Sequence, residues 1–318
     1  MIQFLCSFLY KALQIYLIYA LIVVPVTGVY QEHKVSAPKE VPSLKFIGIV
    51  KAYLLFLFWV TFSLLGTLVL VPKYIINGCS SESVEHTVNC LVERITGIIL
   101  TGMFVGPVQV RGRHNIPSQN RNDGQNGNGN KSGCIYIANH SSTIDASVVY
   151  FLFQKFKWIA KKSILYMPGV GAVMVMGGHI ILDRKSKQSR NKLYERSHEM
   201  LQSGENIFLF PQGTRRLSEW LPFRDGAFNL ALEGGYTIVP ISIELPRGHW
   251  NSWYPLNLMW KKKNDPVVIT VHPAIKVKKM EGNEVNVEDR TKLKSKSEEI
   301  ILSSLPHFRK LIEKHNLK

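Results

Sequence analysis

Two apolar runs of about twenty residues near the N-terminus constrain this chain more than any other feature. Residues 12–30 are apolar apart from Gln14, Thr27 and three tyrosines, and residues 52–72 are apolar almost throughout, flanked by Lys51 and Lys73. Each is about the 20 residues that a hydrocarbon core roughly 30 Å thick demands of a helix. In the second run Thr61, Ser63 and Thr67 can satisfy their hydroxyls on their own helix. The first carries Pro25 and Gly28, which permit a kinked, half-inserted segment. It shows no small-residue cleavage site, so it reads as a retained anchor rather than a removable leader. The expected organisation is a membrane-embedded helical hairpin over residues 1–76, a connecting amphipathic segment over 77–107, and a polar domain over 108–318.

The charge balance constrains what that polar domain meets. Thirty-nine Lys and Arg stand against 23 Asp and Glu, a formal net charge of +16. So large a surplus calls for an anionic partner. No helix-turn-helix, RNP or zinc-finger pattern is present, so nucleic acid is not expected, and membrane and phosphate are favoured. The four cysteines are scattered without a CxxC pair, and the ten histidines form no HExxH. Neither a disulfide framework nor a metal is predicted.

Residues 93–106 form a short amphipathic stretch with Ile95, Ile98, Ile99 and Phe104 on its apolar side. It either rests on the membrane surface or packs on the body. Residues 118–132 are an Asn/Gly-rich insert that cannot bury apolar surface, so a disordered loop is expected. Beyond it, short apolar runs alternate with helical patterns. An edge strand is expected at 108–112, and further strands at 134–138, 158–160, 179–182, 207–210, 237–243 and 267–272. Helices are expected at 146–156, 191–202, 226–233 and 290–314. Alternation at this spacing predicts an α/β fold with a mixed, largely parallel sheet flanked by helices.

Loops after strand ends are where α/β folds place their chemistry. The first such corner is Asn139-His140-Ser141-Ser142-Thr143-Ile144-Asp145. A general base needs substrate access and a partner that fixes its tautomer and stabilises its protonated form. His140 and Asp145 can supply both. Five residues along a helix is roughly 500°, so the two cannot share a helical face and meet only if a turn separates them. Ser141, Ser142 and Thr143 are good turn residues. The alternative is a loop histidine followed by a helix-capping aspartate. There is no G-x-S-x-G elbow and no cysteine beside a base, so the base would act on the substrate's own hydroxyl. The Asn139-His140-Ser141 sequon beside an apolar strand reads as coincidence.

The second corner is Phe210-Pro211-Gln212-Gly213-Thr214-Arg215-Arg216. A glycine turn lets backbone N–H groups approach an anion, Thr214 adds a hydroxyl, and Arg215 offers a two-pronged fork for phosphate. The same residues would serve as an ordinary turn with solvated arginines. Lys161-Lys162 and Asp183-Arg184 end two further strands. Four strand ends thus deliver a His–Asp pair, two lysines, Arg184 and Arg215 to one domain.

These blocks, with GGHIILDR at 177–184, LPFRDGAF at 221–228 and Ile238-Val239-Pro240-Ile241, occur in an order that resembles the glycerolipid acyltransferases, above all the 1-acylglycerol-3-phosphate (lysophosphatidic acid) acyltransferases. The resemblance runs from about residue 109 to residue 275. It implies that His140 and Asp145 are the catalytic pair, and that Arg184, Gly213, Thr214 and Arg215, supported by Lys161, hold the acceptor phosphate. Val239 and Pro240 would shape the acyl-donor side, with Gln212 also shaping the substrate site. The implied reaction moves a fatty acyl group from acyl-CoA or acyl carrier protein to lysophosphatidic acid, giving phosphatidic acid, with no metal and no other cofactor. Glycerol 3-phosphate or another lysophospholipid as acceptor, or a non-catalytic lipid-binding role, are the alternatives. Expected partners are membrane lipids, the lysophospholipid and the thioester, with no obligate protein partner inferable. The implied location is a membrane (endoplasmic reticulum in a eukaryote, inner membrane in a bacterium) with the catalytic domain on the cytosolic side. The chain departs from the family at Gln212, where the third block usually has Glu. Gln keeps the shape and one acceptor oxygen, loses the charge and gains a donor, so the turn is expected to accept either residue with less than about a tenfold change in kcat/KM.

Overall fold

The computed structural model describes residues 2–36, 46–117, 132–183, 185–216, 219–245, 266–280 and 285–316. Arg184, the insert apart from Ser132, and the aromatic stretch from Trp250 to Trp260 lie outside these residues. The helices are α1 (Ile2–Ile18), α2 (Val24–Ser36), α3 (Phe46–Ile76), α4 (Glu85–Thr87), α5 (Arg94–Phe104), α6 (Asp145–Val148), α7 (Val170–Met176), α8 (Lys187–Gln202), α9 (Gly226–Gly234), α10 (Val287–Ser303) and α11 (Pro306–Asn316). The strands are β1 (Val108–Arg111), β2 (Ile135–Ala138), β3 (Lys157–Lys161), β4 (Ile180–Leu182), β5 (Ile207–Leu209), β6 (Ile238–Glu244) and β7 (Val267–Val271). They form one sheet in the order β1-β7-β6-β2-β5-β3-β4. Every pairing is parallel except β6 with β7. The α/β fold with a mixed, largely parallel sheet is therefore present, and β1 sits at the sheet edge.

Strand periodicity sorts the core into two layers. Tyr136 and Ala138 of β2 face one way, with Val239, Ile241 and Ile243 of β6, and pack with Leu55 of α3, Leu100 and Phe104 of α5 and Val148 of α6. Ile135 and Ile137 face the other way, onto Leu201 of α8, Phe228 and Ala231 of α9 and Ile301 of α10. The long N-terminal helices thus help to close one face of the sheet, and the C-terminal helices close the other.

Pro25 sets the geometry of the first apolar segment. It has no N–H to give the carbonyl of Leu21, four residues back. The helix widens there into a π-turn over Tyr19–Val23, and the Tyr53 hydroxyl of α3 donates to that carbonyl at 2.6 Å. An unsatisfied carbonyl is costly in an apolar medium, so this bond both heals the break and pins the helices together. Gly28 allows the close approach, since a Cβ there would fall 2.6 Å from the Phe56 ring. In α3, Thr67 bonds back to the carbonyls of Ser63 and Leu64 at 2.9 and 3.0 Å.

Among the described residues three helical stretches are long and apolar enough to cross a membrane: Leu13–Tyr30, Ile49–Ile76 and Glu85–Phe104. The third contains the amphipathic stretch whose placement the sequence left open, and it packs on the body. Thr96, Gly97, Leu100, Thr101 and Phe104 are buried, and Thr101 hydrogen-bonds Ser147 at 2.9 Å. Glu93 is buried against His179 and accepts from the Tyr150 hydroxyl at 2.9 Å.

Several sequence-derived boundaries need correction. The helix expected at 146–156 is only α6 followed by a 3-10 segment, Val149–Leu152. The helix expected at 290–314 is two, because Pro306 cannot extend α10 and instead begins α11. Helix α7, preceded by Gly169 at φ +71°, was not anticipated. Cys79, Cys90 and Cys134 are free thiols.

Gly97 lies where α5 meets the 3-10 segment. A Cβ there would stand 2.6 Å from the Tyr150 ring and 3.0 Å from the Ser147 carbonyl oxygen. Gly97→Ala should therefore destabilise the fold by about 1–3 kcal/mol, the usual cost of overpacking. Thermal unfolding of the detergent-solubilised protein checks this, and an unchanged midpoint would show that α5 yields without penalty.

Candidate active site

The carboxyl end of β2 delivers the His–Asp pair. The chain turns at residues 143–144 and enters α6 at Asp145. Its carboxylate points back over the turn. Asp145 Oδ2 accepts from the backbone N–H of Ser141 at 2.6 Å and of Ser142 at 2.8 Å, and meets His140 Nδ1 at 2.9 Å. Asp145 therefore does not cap its own helix; its first-turn position organises the corner before it. The Asp145 side chain is fully buried and that of His140 is 17 % exposed. A carboxylate on Nδ1 fixes the tautomer with hydrogen on Nδ1 and the lone pair on Nε2. The imidazole also stacks on Phe210 at 3.9 Å between centroids and 9° between planes.

Two side-chain amides hold the His140 backbone. Asn139, fully buried, donates to the Ile243 carbonyl at 2.9 Å and accepts from the Ile243 N–H at 2.8 Å. It continues the β2–β6 ladder one residue past the strand, and its burial removes it as a glycosylation site. On the other flank Gln212 Oε1 accepts from the His140 N–H at 2.6 Å, while Gln212 Nε2 donates to the Leu221 carbonyl at 3.0 Å. The Arg216 N–H closes the loop by donating to the His140 carbonyl at 3.0 Å.

The turn at 210–213 is built on the Gly213 N–H bonding the Phe210 carbonyl at 2.9 Å. Gly213 has φ +72°, and a Cβ there would fall 2.9 Å from the Arg224 guanidinium. Only glycine suits both the conformation and the approach. Gly213, Thr214, Arg215, Lys161 and His140 all line one cavity of about 650 Å³. Arg190 and Arg224 line it too; neither was singled out from the sequence. For Arg190 a signal existed, since Arg190, Leu193 and Tyr194 stand at i, i+3 and i+4 on α8 and all three line the cavity. Arg184 lies outside the described residues. Val239 and Pro240 are not among the residues that line this cavity: both are buried in β6, with Val239 in the core.

Much of the remaining cavity wall is apolar, including Leu55, Trp59, Val92, Leu100, Ile144, Val173 and Met174. Its one lining carboxylate, Glu93, is engaged. The Trp158 N–H donates to His179 Nδ1 at 3.0 Å, which leaves the hydrogen on Nε2 for Glu93. The Trp158 indole donates to the Tyr150 hydroxyl at 2.8 Å, and burial, with Glu93 adding to it, raises that hydroxyl's pKa well above its usual value. His272 is likewise a buried, hydrogen-bonded core histidine, 2.6 Å from the Ser242 hydroxyl. Burial pushes the Cys134 thiol up to about 11, so it is no nucleophile at neutral pH.

Residues 107–244 match the family model described as Acyltransferase. Over 169 residues the chain is 30 % identical to a 1-acyl-sn-glycerol-3-phosphate acyltransferase of Chlamydomonas reinhardtii, covering 53 % of this chain and 46 % of that one. It is 29 % identical to the enzyme of the same description from Borreliella burgdorferi, over 54 % of this chain and 62 % of that one. The matches thus span about half, and in every case under two thirds, of these relatives' length. The crystal structure of the 1-acyl-sn-glycerophosphate acyltransferase from Thermotoga maritima superposes with a TM-score of 0.53 at 19 % identity, covering 82 % of this chain and 95 % of that one. That likeness shows a shared fold. The family resemblance carried by the ordered motifs is borne out.

Gln212 uses both ends of its amide, and this revises the expectation that the turn accepts Glu equally well. A carboxylate would set oxygen against the Leu221 carbonyl oxygen in a buried position. Gln212→Glu should lower stability by about 1–3 kcal/mol, the cost of an unsatisfied buried group. The carboxylate can still accept from the His140 N–H, but repulsion from the Leu221 carbonyl would displace it and the His140 backbone with it, so kcat should fall at least about tenfold at neutral pH. Steady-state kinetics with thermal unfolding tests this, and unchanged values would remove the Leu221 bond from the account.

Proposed function

We propose that this chain, which carries an acyltransferase-family domain over residues 107–244, acylates the free hydroxyl of lysophosphatidic acid from an acyl thioester, acyl-CoA or acyl carrier protein, to give phosphatidic acid. The observation that carries the reading is the cavity's division. His140, backed by Asp145, shares it with the cations Lys161, Arg190, Arg215 and Arg224, while much of its remaining wall is apolar. A ligand suited to it has a compact anionic head, an acyl chain and a hydroxyl between the two.

In this mechanism the acceptor phosphate rests against Arg215 and Arg224, with Lys161 and Arg190 adding positive charge and Gly213 offering room beside the turn. A guanidinium fork matches phosphate in shape and charge. The acceptor hydroxyl gives its proton to His140 Nε2 as its oxygen attacks the thioester carbonyl. Asp145, bonded to Nδ1, stabilises the imidazolium. As the C–S bond breaks, His140 returns the proton to the departing thiolate, so base and acid are one residue and no proton is lost. The buried corner favours attack by the acceptor over water. The apolar helices support a membrane location, where lipid substrate and product would share one phase. The location expected from the resemblance, with the catalytic domain facing the cytosol, belongs to the same proposal.

An assay of the purified chain with acyl-CoA and acyl carrier protein, against lysophosphatidic acid, glycerol 3-phosphate and lysophosphatidylcholine, tests the reading. Preference for lysophosphatidic acid is expected. His140→Ala should lower turnover roughly 10²–10⁴-fold, the usual worth of a positioned base, and Asp145→Asn somewhat less. Wild-type turnover in either variant, or no transfer to any acceptor by the wild type, overturns the mechanism. Arg215→Ala should raise the acceptor KM about 10- to 100-fold, as loss of a charged hydrogen bond does, and leave the donor KM nearly unchanged. A shift in the donor KM instead would reassign the cationic end of the cavity to the donor.

A further inference from the structure

Phe153 is an anomaly outside the cavity. It ends the 3-10 segment Val149–Leu152 in a left-handed conformation, φ +58° and ψ +30°. That position favours Gly or Asn, and for a bulky residue it is strained. The ring is also 52 % exposed. Two guanidinium groups flank it: Arg94 of α5 lies 5.6 Å and Arg113, beyond β1, 5.5 Å from the ring centroid. Arg113 is anchored by donating to the carbonyls of Leu152 and Phe151 at 3.3 and 2.8 Å. These bonds hold the arginine against the ring and use only part of a guanidinium's five donors. Arg94 Nε is buried without a hydrogen-bond partner. Leu91, in the π-helical segment Val88–Glu93 that leads into α5, and Ile95 of α5 are exposed. Three chain segments thus converge on an exposed aromatic ring bracketed by cations and continued by apolar side chains.

We propose that Arg94, Phe153 and Arg113 form a docking site for anionic phospholipid headgroups on the leaflet surface, with Phe153 entering the interface between the two guanidinium groups. Phe, with Trp and Leu, is among the side chains that interfacial elements bury at the boundary of headgroups and acyl chains. Guanidinium groups stack on aromatic faces while offering their remaining N–H donors to phosphate. The charge of the chain, +16, complements an anionic leaflet. Water satisfies neither the exposed ring nor the strained turn that presents it, whereas a lipid surface covers the ring and pairs both arginines. The site rests on the membrane reading of the apolar helices but is distinct from the catalytic cavity, which none of the three residues lines.

The test uses the full chain in vesicles of equal parts phosphatidylcholine and phosphatidylglycerol, with bromine on the acyl chains of one lipid at a time. The fluorescence of Phe153→Trp, taken as the difference from wild type, should be quenched more by brominated phosphatidylglycerol than by brominated phosphatidylcholine. Adding Arg94→Gln and Arg113→Gln should abolish that preference. Equal quenching by both lipids before the arginines are changed overturns the headgroup site and leaves membrane association standing. No quenching by either, with the chain still floating with the vesicles, places Phe153 away from the interface and overturns it too. Failure of the chain to float refutes the membrane reading itself. A second measurement keeps Phe153: spin-labelled phosphatidylglycerol should show a larger immobilised fraction than spin-labelled phosphatidylcholine with wild type, and equal fractions with Arg94→Gln/Arg113→Gln. Equal fractions with wild type overturn the proposal.

Discussion

The site depends on how β2 ends. β2 lies between β6 and β5, and where its regular ladder stops, the backbone groups of residues 139–142 still need partners in a buried setting. Side chains supply them. The Asn139 amide reaches β6 on one flank, the Gln212 amide reaches from the turn after β5 on the other, and one oxygen of Asp145 gathers two further N–H groups with the imidazole. The satisfaction of these groups and the aiming of His140 are a single arrangement. Disturbing any of the three polar side chains would cost both folding free energy and the orientation of the imidazole, because the bonds that stabilise the corner are the bonds that aim His140.

The second organising feature is the separation of charge from apolar surface inside one cavity. Cations gather where turns and the first part of α8 converge, and the apolar wall comes largely from α3, α5 and α7. The N-terminal helices are therefore more than a tether, since Leu55 and Trp59 of α3 are wall residues. Because α3 is apolar along its length and lines the cavity, its apolar surface continues into the wall that leads to His140. The acid that lines that wall among the described residues, Glu93, is hydrogen-bonded within a closed ring with His179, Trp158 and Tyr150.

Much of this was legible in the sequence because its signals were local. Alternating apolar runs located the strands to within a residue or two, and the turn-separated His140 and Asp145 announced a pair that a helix could not have brought together. What was missed depended on non-local partners. Arg190 looked like any solvent-facing helical arginine until the sheet fixed which face of α8 meets the cavity. Glu93 and His179 are 86 residues apart, and no pattern links them. Val239 and Pro240 were placed by analogy of motif order, and both are buried near the start of β6. Helix ends failed where backbone chemistry overrode periodicity, as at Pro306 and at the left-handed Phe153.

The ring around Glu93 has a consequence for topology. By hydropathy alone the stretch Glu85–Phe104 qualifies as a third crossing beside the two longer ones. To cross, it would have to surrender its bonds to His179 and Tyr150 and carry a carboxylate into hydrocarbon, which membranes admit only reluctantly. Held in the body, it leaves two stretches among the described residues, Leu13–Tyr30 and Ile49–Ile76, as candidates for a crossing. A single buried glutamate thereby withdraws a helix that hydropathy alone would assign to the bilayer.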